Sequence, residues 1–187
     1  AKLIKMTGVV SKSCNSAKFS GLLCISQKNG RGAPAIWWSI VRYMSGTKKP
    51  SDTKKRSFSF FASSPNEFAL FSRAGALAAA AGADFVIGIG GGSALDAAKA
   101  IAAFAANPAL APMDLYDDAK RTAPTLPLFA VPTTAGTGSE VNRFAVATVT
   151  KLNYKPAIAY DCIYPRYAID DPALMAALAP DQTRYVS

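Results

Sequence analysis

Two short stretches of this sequence are rich in glycine and hydroxyl side chains, which are suited to binding an anion. The first is Gly90-Gly91-Gly92-Ser93, and the second is the segment 132–139, which reads PTTAGTGS. Glycine has no Cβ, so a ligand can come close to backbone N–H groups. Threonine and serine hydroxyls add further hydrogen-bond donors. A phosphate group is the ligand that such a surface would suit.

The elements around these stretches indicate how the chain positions them. Residues 85–89 and 128–131 are short apolar runs, which are typical of strands buried on both faces of a parallel sheet. Ser93 predicts a helix N-cap, and Asp96 three residues later completes a variant of the capping box. Apolar residues then recur at helical spacing up to Asn107, which precedes a proline. A strand, a glycine turn and a helix N-terminus together predict a phosphate site.

Neither stretch is diagnostic by itself. Gly88 and Gly90 match the first two glycines of the Rossmann motif G-x-G-x-x-G, but Ser93 stands at the third position and no P-loop lysine follows. A tight turn without a ligand is therefore an open alternative for the first stretch alone. The pair GGGSxxDxAK and PTTAGTGSE is far more specific. Together these motifs resemble the iron-containing alcohol dehydrogenase family.

The resemblance implies an NAD(P)-dependent oxidoreductase that interconverts an alcohol and an aldehyde or ketone. It also implies an α/β fold with a mostly parallel sheet, which is an incomplete Rossmann-like nucleotide-binding domain. Glycerol dehydrogenases and dehydroquinate synthases are weaker alternatives, because TTAGTGSE fits the iron-containing group better. The resemblance implies these cofactor-binding residues: Gly90, Gly91, Gly92, Ser93, Asp96, Thr133, Thr134, Thr137, Ser139, Lys155 and Asn66. A helix cap is the alternative role for Asn66, and a surface lysine for Lys155.

The family's metal centre has no counterpart in this sequence. In the resembled family, a helical domain behind the nucleotide-binding domain holds iron or zinc through one aspartate and three histidines. This sequence contains no histidine. We therefore expect no metal site and no alcohol dehydrogenase activity from the chain alone, and a truncated, inactive nucleotide-binding fragment is the alternative function. Asp114, Asp117 and Asp118 are expected to be solvated charges, because their spacing brings too few oxygens to one cation.

Charge is distributed unevenly along the chain. Residues 1–56 contain twelve of the 21 basic residues and a single acidic residue, Asp52. The segment 1–63 shows no persistent period of 2 or 3.6 residues, so we interpret it as an irregular basic leader and 64–187 as a partial dinucleotide-binding domain. Three explanations of the leader are open: an organelle transit peptide, a nucleic-acid-binding arm, or a frameshifted stretch that is not part of the fold.

Composition also limits the partners and the compartment. No apolar run is long enough to span a membrane, and no nucleic-acid motif accompanies the basic leader. The three cysteines lack the spacing of a disulfide framework or a zinc site. We expect a small alcohol or carbonyl substrate, no membrane or nucleic-acid partner, and a cytoplasmic location, with mitochondria as the alternative if the leader is a transit peptide. A homo-oligomer is left open.

Three further elements are predicted along the chain. A helix should open at Pro65 or Asn66 and end at Gly82. Alternation in 144–148, followed by a polar turn and 156–160, predicts a hairpin. A short strand near the end of the sequence should lead into a helix opened by Asp171 and the proline that follows it. The resemblance to the family runs from about residue 64 to residue 183.

Overall fold

The computed structural model describes residues 2–5, 22–27, 57–61, 68–149, 153–176 and 178–186. Its α-helices are α1 (Phe68–Ala80), α2 (Gly92–Ala106) and α3 (Pro180–Val186). Its strands are β1 (Lys2–Lys5), β2 (Leu22–Gln27), β3 (Ser57–Phe61), β4 (Ala83–Gly90), β5 (Leu128–Pro132), β6 (Phe144–Val146), β7 (Ala157–Ala159) and β8 (Tyr167–Asp170).

Six of these strands form one sheet in the order β1-β8-β5-β4-β2-β3. The strands β1, β8, β5 and β4 run parallel, whereas β2 and β3 are antiparallel to their neighbours. All five residues of β5 are buried, as the continuous apolar run predicted. The predicted α/β fold with a mostly parallel sheet is confirmed.

Three of the sheet's strands, β1, β2 and β3, come from residues 1–63, where the sequence analysis predicted irregular structure. They depart from that prediction because the sheet supplies backbone partners: β1 pairs with β8, and β2 pairs with β4. In β3 the sequence SFSFF does alternate, which is a local strand signal that the prediction of irregular structure did not include. The rest of this segment lies outside the described residues, so the boundary at residue 63 stays a prediction.

The helices α1 and α2 pack against each other at Gly75. A Cβ at Gly75 would lie 2.3 Å from the Cβ of Phe104, so only glycine permits this close approach. Phe71 of α1 and Phe104 of α2 are both buried in the core between the helices and the sheet. α1 gives way to a turn at Gly82, which has φ 65, as predicted. The predicted start of this helix, at Pro65 or Asn66, lies outside the described residues.

The N-terminus of α2 is capped by the backbone. Gly91 is the N-cap, with φ −76 and ψ −177, and it makes no side-chain capping bond. Its carbonyl oxygen accepts hydrogen bonds from the N–H groups of Ala94 at 3.0 Å and Leu95 at 3.1 Å. The predicted capping box of Ser93 and Asp96 is therefore wrong. The reason is a competing tertiary contact, because the Asp96 carboxylate accepts hydrogen bonds from two residues that are distant in the sequence, Ser139 and Val146.

The predicted hairpin is confirmed. The strands β6 and β7 pair antiparallel, and a bridge between Val149 and Tyr154 continues the pairing toward the turn. Residues 150–152 of that turn lie outside the described part of the chain.

The helix predicted at Asp171 is wrong. After β8 the chain makes only a 3-10 turn over Pro172–Leu174, in which the Asp171 carboxylate accepts the N–H of Ala173 at 3.0 Å. Pro180 disfavours helical geometry in the residue before it, which separates this turn from the helix that follows. The α-helix of this region is α3, which begins at Pro180 itself.

The helix α2 ends just before Asn107, as predicted. The buried side chain of Asn107 fixes the connection between α2 and β5. Its Oδ1 accepts the N–H groups of Thr122 at 3.0 Å and Ala123 at 2.7 Å. Its Nδ2 donates to the carbonyls of Ala103 at 2.9 Å and Ala123 at 3.0 Å. One side chain therefore joins the end of α2 to the far end of the connection.

Between these anchor points the connection is largely exposed. Leu115 is fully buried and holds it to the core. Asp114 pairs with Lys120 at 2.6 Å, and Asp118 pairs with Arg121. These aspartates therefore carry surface ion pairs, which contribute little to stability.

Candidate functional site

The glycine turn (residues 90–93) and the loop of residues 132–139, here called the hydroxyl loop, meet at the carboxyl ends of two neighbouring parallel strands. β4 and β5 are paired up to Gly90 and Pro132. Just beyond, the N–H of Thr133 donates to the carbonyl of Gly90 at 2.9 Å. Open α/β sheets bind their ligands outside this edge. The topology therefore brings the two predicted binding stretches together.

The close contact between the glycine turn and the hydroxyl loop leaves little room for a side chain at the glycine positions. Gly90 has φ 149, a conformation that other residues rarely adopt. A Cβ at Gly91 would lie 3.3 Å from Thr134 Oγ1, and a Cβ at Gly92 would lie 2.9 Å from Thr137 Cγ2. The two threonines thus face the glycines across a narrow cradle, which a larger side chain would fill.

The hydroxyl of Thr134 is the unusual group in this cradle. Its Oγ1 atom is buried and has no hydrogen-bond partner among the described residues. A buried polar group is nearly always hydrogen-bonded, because losing water without a new partner costs about 1–3 kcal/mol. The positive end of the α2 dipole is directed at the same turn. The cradle therefore presents an unused polar group and a favourable potential to an anionic ligand.

Lys99 holds the segment that follows the hydroxyl loop. It lies in the second turn of α2 and has no solvent exposure. Its Nζ donates to Ser139 Oγ at 3.0 Å, to Asn142 Oδ1 at 2.9 Å and to the carbonyl of Phe144 at 2.6 Å. An ammonium has three N–H donors, and here each has an acceptor.

Asp96 completes this network from the preceding turn of α2. Its Oδ1 accepts the hydroxyl of Ser139 at 2.5 Å, and its Oδ2 accepts the N–H of Val146 at 3.0 Å. Its Oδ1 also lies 3.8 Å from Lys99 Nζ. Burial lowers the pKa of Lys99 from 10.5 to about 8, although the negative charges of Asp96 and Glu140 oppose this shift.

The predicted site residues fall into three groups. Gly90, Gly91, Gly92, Ser93, Thr133, Thr134 and Thr137 lie in the turn and the loop that meet at the sheet edge. Asp96 and Ser139 use their side chains in the network with Lys99. Lys155 is exposed just before β7, and Asn66 lies outside the described residues.

Lys99 and Asn142 were not among the predicted site residues. A signal for Lys99 was present, because α2 is apolar nearly all round between Ala94 and Ala105. Such a helix is buried on every face, so a lysine within it must be buried with its own acceptors. Asn142 gives no comparable signal, since its partners are distant in the sequence.

The described residues do not fit the family's metal. Among them, no group of three or more histidine, cysteine, aspartate or glutamate side chains is arranged to hold an ion. The printed sequence has no histidine at all. No step of the chemistry is therefore assigned to a metal held by these residues. Nor does the described part of the chain include a helix with the length and hydrophobicity needed to cross a bilayer.

A parallel sheet that brings a glycine turn and a hydroxyl loop to one edge, before a helix N-terminus, defines a Rossmann-like α/β domain. Residues 53–172 match the family model described as iron-containing alcohol dehydrogenase, and the chain belongs to this family. The match starts ahead of residue 64, where the sequence motifs had placed the beginning of the resemblance.

Known relatives extend well beyond the matched region. The long-chain primary alcohol dehydrogenase AdhA of Thermoanaerobacter ethanolicus is 52% identical over 102 residues, which is 54% of this chain and 26% of AdhA. An iron-containing alcohol dehydrogenase of Thermotoga maritima has a TM-score of 0.59 and 34% identity, over 65% of this chain and 33% of that one. The sulfoacetaldehyde reductase of Bifidobacterium kashiwanohense, solved in complex with NAD⁺, has a TM-score of 0.58 and 30% identity, over 78% and 38% of the two chains. This chain therefore spans about a quarter to two fifths of these relatives.

Proposed function

We propose that this chain binds NAD or NADP at the glycine turn and supplies the cofactor site for the interconversion of an alcohol and an aldehyde or ketone. The observation that carries the proposal is the buried Thr134 hydroxyl, which faces Gly91 across the cradle and has no partner among the described residues. Membership of the iron-containing alcohol dehydrogenase family supports the same ligand and the same reaction class.

In this proposal, different residues of the cradle bind different parts of the dinucleotide. Backbone N–H groups at Gly90, Gly91 and Gly92 approach the pyrophosphate, with Ser93 at the helix N-terminus beside them. Thr133, Thr134 and Thr137 line the nicotinamide end and orient the ring. The bound nicotinamide supplies the hydride chemistry, while the protein contributes binding and orientation.

Asp96, Ser139, Lys155 and Asn66 are retained as proposed cofactor contacts on the strength of the family motifs. Asp96 and Ser139 additionally hold the loop, as their hydrogen bonds indicate. A small alcohol or carbonyl substrate and a cytoplasmic location belong to the same proposal, and so does an oligomer of identical chains.

The variant Gly91→Val tests the proposed cradle. Gly91 has ordinary backbone angles, so valine introduces no left-handed strain there. Its Cβ would lie 3.3 Å from Thr134 Oγ1, and its methyl groups would fill the space that the proposal gives to the pyrophosphate. We expect the affinity for NADH or NADPH to fall at least ~100-fold, about 2.7 kcal/mol.

Calorimetric titration measures this affinity, and a thermal melt of the same sample verifies that the variant is folded. Ala119→Val is the matched control, because Ala119 is exposed in the 3-10 turn Asp118–Lys120, within the connection to β5. Wild-type affinity in a folded Gly91→Val protein would show that the turn is only structural. Failure of the wild-type chain to bind either reduced dinucleotide would refute the proposed function itself.

A further inference from the structure

The segment from Gly138 to Val146 runs from the end of the hydroxyl loop through the first strand of the hairpin, and two side chains of α2 bind it. Lys99 binds it at Ser139, Asn142 and Phe144, as described above. Asp96 binds it through the backbone N–H of Val146. Two charged side chains, one turn apart on one helix, therefore fix a strand end and the turn before it.

The hydrogen bonds of Asn142 connect this segment to the hydroxyl loop. Its Oδ1 accepts from Lys99 and also from the N–H of Phe144 at 3.0 Å. Its Nδ2 donates to the carbonyl of Gly138 at 2.9 Å. Gly138 has φ 63 and directly follows Thr137, the residue that faces Gly92. A displacement of Asn142 would therefore be transmitted to the threonine side of the cradle.

We propose that Lys99 is a positioning residue for the dinucleotide site, which holds Thr134 and Thr137 against the glycine turn through Asn142 and Ser139. The inference rests on the proposed function, since it concerns the same cradle. Lys99 does not contact the ligand in this account, because all three of its donors are used inside the protein. Its protonated form is the one that fixes the loop, since a neutral amine has only two donors for three acceptors.

The charged groups acting on Lys99 are known from the structure. Asp96 acts from its own helix and Glu140 from the 3-10 turn Ser139–Val141, and both favour the protonated form. Burial opposes them and brings the pKa of Lys99 to about 8. Raising the pH from 7 to 9 should therefore release the proton and loosen the loop.

The test compares dinucleotide affinity in four proteins: wild type, Lys99→Met, Lys99→Arg and the control Lys120→Met. Lys120 is a surface lysine paired with Asp114, remote from the cradle in the connection to β5. Fluorescence titration with NADH and NADPH at pH 7 should show affinity about 10-fold weaker for Lys99→Met, with no change for Lys120→Met. Lys99→Arg keeps a cation with several donors and should restore affinity to within about 3-fold of wild type.

The pH profile separates positioning from simple loss of stability. Between pH 7 and pH 9 the wild-type affinity should fall several-fold, whereas Lys99→Met and Lys99→Arg should show flat profiles, because neither side chain titrates there. The inference would be overturned if Lys99→Met bound the dinucleotide as tightly as the wild type does, or if its affinity depended on pH in the same way. A wild-type chain that binds neither dinucleotide would remove the proposed function and the inference together.

If Lys99→Met does not fold, the variant Asn142→Ala tests whether the network positions the cradle. Asn142 is only partly buried, so its loss should be tolerated, but the tie to Gly138 is removed. We expect NADH affinity about 3-fold weaker at pH 7 in a protein that melts cooperatively. Unchanged affinity in this variant would show that the network does not position the cradle.

Discussion

The substitution Thr134→Val removes one hydroxyl at the centre of the candidate site, and we expect it to act oppositely on stability and on binding. The buried Oγ1 of Thr134 has no partner among the described residues. Desolvation of such a group costs about 1–3 kcal/mol in the folded state. Valine has nearly the same shape without that cost, so the free energy of unfolding should stay constant or rise by about 1 kcal/mol.

Dinucleotide binding should change in the other direction, because the ligand would supply the missing partner. Loss of that hydrogen bond should weaken NADH binding by about 1 kcal/mol, or roughly 5-fold. Urea unfolding and fluorescence titration on the same preparations give the two quantities. Thr125→Val is the matched control, since the Thr125 hydroxyl donates to the carbonyl of Cys162. That control should lose about 1 kcal/mol of stability and keep its NADH affinity.

One outcome would refute this reasoning directly. If Thr134→Val lowers the free energy of unfolding by 1 kcal/mol or more while NADH affinity holds, the hydroxyl serves the fold rather than the ligand. The cradle would then be a packing contact between a turn and a loop.

Two further predictions concern stability. Gly75→Ala should lower the free energy of unfolding by about 1–3 kcal/mol, because its Cβ would lie 2.3 Å from the Cβ of Phe104; wild-type stability by urea unfolding would contradict the close helix contact. The pKa of Lys99, about 8 when folded and 10.5 in its ordinary environment, means that the folded chain releases this proton first, so the free energy of global unfolding should rise between pH 8 and pH 10.5 even though the loop loses one hydrogen bond. The rise is on the order of 3 kcal/mol, and Lys99→Met should lack this contribution in urea unfolding at a series of pH values.

Local sequence patterns were sufficient to predict those elements that a short stretch of residues specifies by itself. The apolar run before Gly90, the alanine-rich helix up to Asn107 and the alternation in 144–148 each predicted the correct element. The glycine and threonine motifs also indicated two binding stretches, each after a predicted strand, and the pairing of β4 with β5 then brings both to the same sheet edge. These parts of the fold and site could be derived from the sequence because each signal lies within one element.

Features that depend on distant partners could not be predicted in this way. Ser93 and Asp96 have the spacing of a capping box, but Ser139 and Val146 compete for the carboxylate from more than 40 positions away. The strands β1 and β2 gain their regularity from the neighbours with which they pair, which no periodicity in the segment reveals. Tertiary contacts override local preference in both cases.

Asn107 makes the chain unusually suitable for an inserted peptide. Its side chain bonds to residues 122 and 123, so it closes the exposed part of the connection into a loop whose two ends are fixed to each other. Doubling the length of such a loop adds only about 0.6 kcal/mol of closure entropy. An epitope or a reporter domain placed between Asp118 and Ala119, beyond the buried anchor Leu115, should therefore leave both α2 and β5 undisturbed. The same closure would let the length of this connection drift in evolution while the sheet edge keeps its geometry.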